Sequence, residues 1–399
     1  MSAFAQASPR PYPTGIAVWV SDDDQGKVPL PGTDRAWPAD ATLATAMRSA
    51  AAVGITRVAD VTRLDRIGIP TYQAIRPAGT TLSVSQGKGL TDDLAKVSAL
   101  MESIELWHAE NPAVDSFIDT IGGLRSALAY DPCTLQLEEN ALLHDGLPLE
   151  WVMARRLGDG HAVPVPYRMV YLNFADPAGW RPRAFQETST GLASGNTLVE
   201  ATLHALYEIV ERDAVSRAHR LGMPGTRFDP RALGSAAVED LLDRFEAAAV
   251  TVDVRVLPSP AGLPCVTARI VSDDYPVVCG GHGCHLATEI ATTRALTEAA
   301  QSRLTYIAGA RDDLSRSIYG PLRRMEPPAP DREPAPHPLP PDLGGARSHE
   351  NLLEDLADVH QRCASAFSDP LLVNLTRPEI GIPVVRVIIP GCERDEGVS

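Results

Sequence analysis

The chain has 399 residues, 44% of them apolar, and a formal net charge of −15. So acidic a chain argues against a nucleic-acid or anionic-membrane partner, because phosphate surfaces are bound by basic ones, and no run of about 18 apolar residues spells a transmembrane helix. The opening "MSAFAQASPRPYPTG" lacks the apolar stretch of a secretory signal, so a cytoplasmic protein with reduced cysteines is the expectation.

Residues 1–40, rich in Pro, Asp and Gly, read as an irregular lead segment. "ATLATAMRSAAAVG" (41–54) predicts a short helix stopped by Gly54, and "ITRVADVT" after it a strand. "TDDLAKVSALMESIELWH" (91–108) predicts a helix whose Leu94, Val97, Met101 and Ile104 face a core, with Ser98, Glu102 and Glu105 along the edge of that stripe. Two further helices are predicted in "NTLVEATLHALYEIVERDAVSR" (196–217) and "TEIATTRALTEAAQSRL" (288–304). Between them, "CGGHGCH" (279–285) gathers Cys279, His282, Cys284 and His285, but zinc sites use two separated ligand pairs and no second pair exists. A glycine-rich turn leaving an apolar strand is the preferred reading there. "EPPAPDREPAPHPLPPDLGG" (326–345) predicts a surface excursion, since so much proline excludes helix, and "PVVRVIIP" (383–390) predicts a strand. Strand and helix signals alternate throughout, which makes the fold class α+β or mixed α/β.

The three long helices recur at intervals of about a hundred residues, each after a Gly-containing turn. Each repeats a face: Ser98, Glu102, Glu105; then Glu200, His204, Glu208, Glu211; then Arg294, Glu298, Gln301. Alone, the acids of the first helix read as a solvated face. The second helix changes that, because Ala201, Leu203, Ala205, Leu206, Ile209 and Val210 leave it little polar surface. A carboxylate on such a helix needs a cation or a raised pKa. Converging acids suit a hard divalent ion such as Mg²⁺, which ordinarily shares its shell with substrate phosphates. Arg212, Arg303 and Lys88, one of only three lysines (with Lys27 and Lys96), supply cations for those phosphates. The residues alone therefore predict a Mg²⁺–nucleotide site assembled from three helices. Familiar modules fail their spacing: "SVSQGKGL" (83–90) is not a P-loop, "GLASG" (191–195) is not a nucleophile elbow, and no GxGxxG or HExxH occurs.

The motifs resemble those of the YcaO family, ATP-dependent enzymes that modify peptide backbone amides. The resemblance rests on "GITRVADVTRLDRIGIP" (54–70), "GKG" (87–89), SxxxExxE at Ser98, Glu102 and Glu105, and "GLASGNTLVEA" (191–201). It continues with ExxER at Glu208, Glu211 and Arg212, ExxQxR at Glu298, Gln301 and Arg303, "GARDD" (309–313) and "LTRPEIGIPVVRVIIPG" (375–391). It implies a single catalytic domain over 41–399 that binds ATP without a P-loop between helices of repeated β-α subdomains. It implies Mg²⁺ held by Glu102, Glu105, Glu208, Glu211 and Glu298. Phosphate contacts and catalysis fall on Arg212, Arg303 and Gln301, with Lys88 and Ser98 at the same ligand, and nucleoside recognition on Asn196 and Glu200. Two departures stand out. Some relatives carry a Ser where this chain has Ala193, one residue before Ser194, and Leu106 follows the first ExxE where many relatives have Arg.

The implied reaction phosphorylates an amide oxygen after a nucleophile has added to the amide carbon, so that phosphate can leave. An internal Cys, Ser or Thr nucleophile gives an azoline, and an external sulfide equivalent gives a thioamide. The ending "PGCERDEGVS" lacks the PxPxP tail of many azoline formers, and no added N-terminal leader-binding domain is evident. Both favour the thioamide or partner-dependent branch, with a TfuA-like protein, a sulfur donor and a precursor peptide as partners and a homodimer as the expected assembly. An accessory factor for ribosomal-protein methylthiolation is the alternative of a different class. The full acidic set speaks against it, because a scaffold does not need buried carboxylates. Cys392 reads as an ordinary residue of the turn after the last strand rather than as a sulfur relay.

Overall fold

The computed structural model describes residues 26–174, 183–310 and 348–393. Residues 1–25, the proline-rich stretch at 326–345 and Arg311–Asp313 of "GARDD" lie outside the described residues. The lead segment is not irregular as far as residue 40. Val28–Leu30 (β1) and Thr33–Arg35 (β2) pair as an antiparallel hairpin, and Ala39–Ala50 form helix α1. Pro31–Gly32 supplies the turn, with Gly32 at a φ of +69°. Pro and Gly interrupt a long element but also close a tight turn.

Arg57–Asp60 (β3), Thr71–Ile75 (β4) and Val84–Lys88 (β5) make an antiparallel sheet, which Asp92–Glu110 (α2) covers. Ser116–Thr120 (β6), a single turn at Ile121–Leu124 (α3), Pro148–Arg156 (β7) and Ala162–Pro166 (β8) follow. Leu192–Ser194 (β9) then leads into Leu198–Arg220 (α4). Thr226–Arg227 (β10), Ala236–Ala247 (α5), Thr251–Leu257 (β11), Cys265–Ser272 (β12) and Tyr275–Cys284 (β13) precede Thr288–Ala308 (α6). Leu352–Ala366 (α7), Leu371–Asn374 (β14) and Val384–Ile388 (β15) complete the described chain.

β6-β7-β14-β15-β9 form the largest sheet, with β8 also paired to β7, and β10-β11-β12-β13 form another. The near-continuous apolar run of β15 follows from burial on both faces. Val384 and Ile388 join the core containing Ala46 of α1 and Leu100 of α2, while Val385 and Val387 join the core of α4 and α7. The "CGGHGC" stretch is not a turn after a strand but part of β13 itself. Its glycines let α6 lie flush on the sheet: a Cβ on Gly283 would stand 2.1 Å from Ala291 O, and one on Gly87 in β5 would stand 2.0 Å from Ala99 N of α2. Two strands thus use glycine for the same close helix approach.

The three long helices start where their sequences say. Thr91 caps α2 by accepting from Leu94 N at 3.3 Å, and Thr197 caps α4 by accepting from Glu200 N at 3.1 Å. Each such cap stabilises a helix by about 1 kcal/mol. Each helix packs on the strand before it and also touches a strand of the next unit. α2 lies on β5 and reaches β9, α4 lies on β9 and reaches β13, and α6 lies on β13 and reaches β5. The repeat seen in sequence therefore closes into a ring, which brings the three acidic faces toward one centre.

Candidate active site

Each unit fixes its first acid by the same device. Gln86 N donates to Glu102 Oε2 at 3.0 Å, Gly191 N to Glu208 Oε2 at 3.1 Å, and His282 N to Glu298 Oε1 at 3.4 Å. A backbone amide in or beside the preceding strand thus orients one carboxylate oxygen of each acid on the helix that follows it. Contacts between units close the ring. Ser194 N and Oγ both donate to Glu105 Oε1, at 2.8 and 2.6 Å, and Lys88 Nζ donates to Glu298 Oε2 at 2.6 Å. Ser194, just before the second long helix, therefore meets an acid of the first.

The electrostatics record too many carboxylates for the cations present. Burial pushes the Glu105 carboxyl up to about 8, against its Ser194 hydrogen bonds and with Glu208 and Glu102 adding to the rise. Burial also raises Glu208, although Arg212 opposes it. Glu298 goes the other way: burial works against ionisation there, but Lys88, His282 and Arg212 outweigh it and hold the carboxyl at about 2. Burial likewise opposes the charge of Arg212, but Glu208, Glu211 and Glu298 together keep it above the usual guanidinium range.

A cavity of about 250 Å³ opens at this junction. Lys88, Ser98, Glu102, Glu105, Asn196 and Glu200 line it, so six of the sequence-predicted residues converge there. Glu208, Glu211, Arg212 and Glu298 stand behind it, tied to it through the charges and hydrogen bonds just given. Gln301 is half-buried one turn after Glu298. Arg303 is not brought to the cavity. Its guanidinium is 2% exposed and held by Asp65 Oδ2 at 2.9 Å and Ser272 Oγ at 2.7 Å, over the Tyr275 ring. The apolar stripe of α2 also divides differently: Ile104 is core and Met101 packs against it while reaching the cavity, but Leu94 and Val97 form a wall of the cavity, and Ala95, Ala99 and Leu100 take the buried face.

Three cavity residues escaped the sequence reading as ligands: Arg35, His204 and Arg294. Two carried a signal, because His204 and Arg294 occupy the helical position that Ser98 holds in α2, one turn before the acid. Arg35 had none, since it belongs to the hairpin read as irregular. Asn196 and Glu200 are already engaged within the protein. Asn196 Nδ2 donates to Glu200 Oε2 at 3.0 Å, Thr42 Oγ1 to Asn196 Oδ1 at 2.8 Å, and Ala36 N to Glu200 Oε2 at 2.9 Å.

Among the described residues, no three acidic, His or Cys side chains are already gathered at metal-ligand spacing. Glu102 and Glu105 line the cavity while Glu208, Glu211 and Glu298 do not, and the donor atoms of all five are oxygens. Mg²⁺ fits such a set, binding one or two carboxylates and completing its shell with phosphates and water. Burial is the main cause of the raised Glu105 and Glu208 carboxyls, with neighbouring acids adding to it, and a divalent cation bound there would favour their ionised forms. Carboxylates beside Lys88, Arg35 and Arg294, in a cavity without a P-loop, supply the types of group that a hard metal ion and phosphate oxygens require.

Residues 86–393 match the sequence model of the YcaO cyclodehydratases, described as ATP- and Mg²⁺-binding, and the chain belongs to the YcaO family. ATP and Mg²⁺ are accordingly its cofactors. An uncharacterized protein of Mycobacterium tuberculosis strain H37Rv is 39% identical over 90% of this chain and 82% of its own length. A Rhizobium leguminosarum bv. trifolii protein, encoded in a tfuA 3′ region, is 34% identical over 86% of this chain and 84% of its own. Among solved structures, YcaO from Methanopyrus kandleri, bound with AMPPCP and Mg²⁺, superposes with a TM-score of 0.70 at 24% identity, over 92% of this chain and 95% of that one. A heterocyclase in complex with substrate and cofactor gives a TM-score of 0.75 at 22% identity, covering 90% of this chain but 53% of its own, so the chain spans about half of that protein. The α+β fold is that of the YcaO proteins.

Proposed function

We propose that the protein uses ATP to phosphorylate the oxygen of a peptide backbone amide, converting the amide to a thioamide with a sulfide-equivalent donor and a TfuA-like partner. The observation that carries the chemistry is the convergence of Glu102 and Glu105, Glu208 and Glu211, and the single Glu298 from three helices, with Lys88 and Arg212 set among them. The relative encoded in a tfuA 3′ region supports the thioamide branch.

In this reading Glu102, Glu105, Glu208, Glu211 and Glu298 hold Mg²⁺, and the backbone amides that fix one oxygen of Glu102, Glu208 and Glu298 set the direction of the other. The metal would screen the charge of the triphosphate as phosphoryl transfer proceeds. Lys88, Ser98 and Arg212 contact phosphate oxygens, and Gln301 supports them from α6. Asn196 and Glu200 present hydrogen-bonding groups to the nucleoside, and Leu94, Val97 and Met101 offer an apolar wall to its base. Arg303 acts here from a distance, by holding Asp65 and Ser272 against α6.

The balance of the reaction is direct. Sulfide adds to the amide carbon, and the resulting oxyanion takes the γ-phosphoryl group as ADP leaves. The C–O bond then breaks, inorganic phosphate departs with the amide oxygen, and a proton passes to solvent as C=S forms. A side-chain Cys, Ser or Thr nucleophile would give an azoline by the same steps, a second reading favoured by the family's cyclodehydratase description. Mass spectrometry of a precursor peptide treated with enzyme, partner, Mg·ATP and sulfide separates the two. Oxygen-to-sulfur exchange supports the first, and water loss without sulfur uptake overturns it. A homodimer is the assembly proposed, to be read by light scattering of the purified chain.

A further inference from the structure

The hairpin β1–β2 forms one wall of the cavity, contributing Leu30, Thr33 and Arg35, with Trp37 just beyond it. Two of its contacts are with helices of the ring. Arg35 meets His204 and lies 3.8 Å from Glu200 Oε1 on α4, while Gly32 presses so closely on Thr293 of α6 that a Cβ there would stand 2.4 Å from its Cγ2. Neither explains what sets the base of the hairpin. Its first described residues are fixed by α7, an element with no part in the acidic ring.

That attachment is a buried charge cluster. Lys27 Nζ, on a side chain only 8% exposed, donates to Asp355 Oδ2 at 2.5 Å, Ser348 Oγ at 2.6 Å and His349 O at 2.7 Å. Asp355 is fully buried, and its second oxygen accepts from His349 N at 2.6 Å. Asp34 of β2 completes the group, 3.8 Å from Lys27 Nζ and within 3.5 Å of Ser348 Oγ. Lys27 thus has three donors and three close acceptors, which fixes it as a point of attachment rather than a mobile surface charge. A buried ion pair is weak evidence for stability but strong evidence for a defined arrangement, because losing either partner strands the other.

We infer that Lys27 and Asp355 are positioning residues for the nucleotide, holding the hairpin so that Arg35 and Trp37 close the cavity. This rests on the reading of that cavity as the ATP site. In the pair's absence the hairpin loses its close ionic anchor and keeps its weaker contacts, among them those with α4, α6, Leu90 and Ser348, so nucleotide binding has to order it each time. The loss falls on affinity, since the hairpin carries none of the acids around which the phosphoryl group moves.

The test combines kinetics with amide exchange. Lys27→Met is expected to raise KM for Mg·ATP about tenfold with kcat within about twofold, and Lys27→Arg to restore KM. Lys27→Met/Asp355→Asn, which removes both charges of the close pair and leaves Asp34 as the remaining acid, serves where the single variant does not fold, and the same KM rise is expected. In the wild-type chain, amides of residues 28–35 are expected to exchange more slowly with Mg·AMPPCP present. Calorimetry with the same analogue separates the two levels of inference. If the wild type does not bind it, the ATP reading falls and this role falls with it. If it binds while hairpin exchange is unchanged, or if the folded double variant keeps the wild-type KM, the positioning role alone is overturned.

Discussion

Lys88 and Glu298 belong to opposite ends of the repeat, yet Lys88 Nζ reaches Glu298 Oε2 at 2.6 Å and closes the ring of three strand–helix units. That contact joins the strand of the first unit to the acidic helix of the third and, with His282 and Arg212, keeps Glu298 ionised behind the cavity that Lys88 lines. Replacing Lys88 by Met removes a charge-assisted hydrogen bond and a phosphate ligand together. Mg·ATP affinity should fall about tenfold or more by calorimetry, with the melting temperature nearly unchanged because the pair is partly exposed.

Glu208 sits at the centre of the acid set, oriented by Gly191 N and coupled to Arg212. Glu208→Gln keeps the shape and the amide contact but removes the charge. ATP turnover is expected to drop about a hundredfold or more, with far-UV circular dichroism preserved. Unchanged turnover would remove Glu208 from the metal site.

The metal-free protein should show a pH dependence with a definite sign. Glu105 has its carboxyl raised from 4.5 to about 8 by burial, so the native chain holds a proton that the unfolded chain releases. Stability from this group is fully present below about pH 4.5 and is lost as pH rises toward 8. Thermal melts of the metal-free chain should therefore decline across that window, and Glu105→Gln should flatten the decline. Mg·ATP should protect more at the alkaline end, where the carboxylate is ready to bind.

Much of this site is legible in sequence, because acids on otherwise apolar helices are costly and spaced to share a face. Glu208 among Ala205, Leu206, Ile209 and Val210 is the plainest case. What sequence spacing cannot give is depth. Arg303 shares its helix with Glu298 but turns away into a pocket made by Asp65, Ser272 and Tyr275. Leu94, Val97 and Met101 read as core yet wall the cavity, because a binding site needs apolar surface as well. Arg35 was hidden for another reason: Pro31 and Gly32 look like irregular chain until β1 and β2 are seen to pair across them. In "CGGHGC", glycine signals a turn locally, and only the nearness of Ala291 reveals a strand pressed against a helix.

The glycine contacts make a stability prediction independent of the chemistry. A methyl group at Gly87 would meet the backbone of α2 at Ala99 N and at Ala95 O, 2.3 Å away, and neither can rotate aside. Gly87→Ala should cost about 1–3 kcal/mol in chemical denaturation, and it should weaken Mg·ATP binding because Gln86 N and Lys88 flank the site of strain.

A second stability prediction concerns Glu110 at the end of α2. It pairs with buried Arg76, both nitrogens of the fork engaged, and also accepts from Thr80 N at 3.1 Å and Thr81 N at 2.9 Å. Glu110→Gln should destabilise the fold by about 3–5 kcal/mol in urea. The folded fraction should keep the wild-type KM for ATP, because neither partner lines the cavity.

The most direct test of the account follows the amide oxygen. A precursor peptide carrying heavy oxygen in its backbone amides is incubated with the enzyme, its partner, sulfide and Mg·ATP, and the released phosphate is analysed by mass spectrometry. The account predicts one heavy oxygen in the phosphate for each amide converted. Modified peptide accompanied by unlabelled phosphate would contradict it.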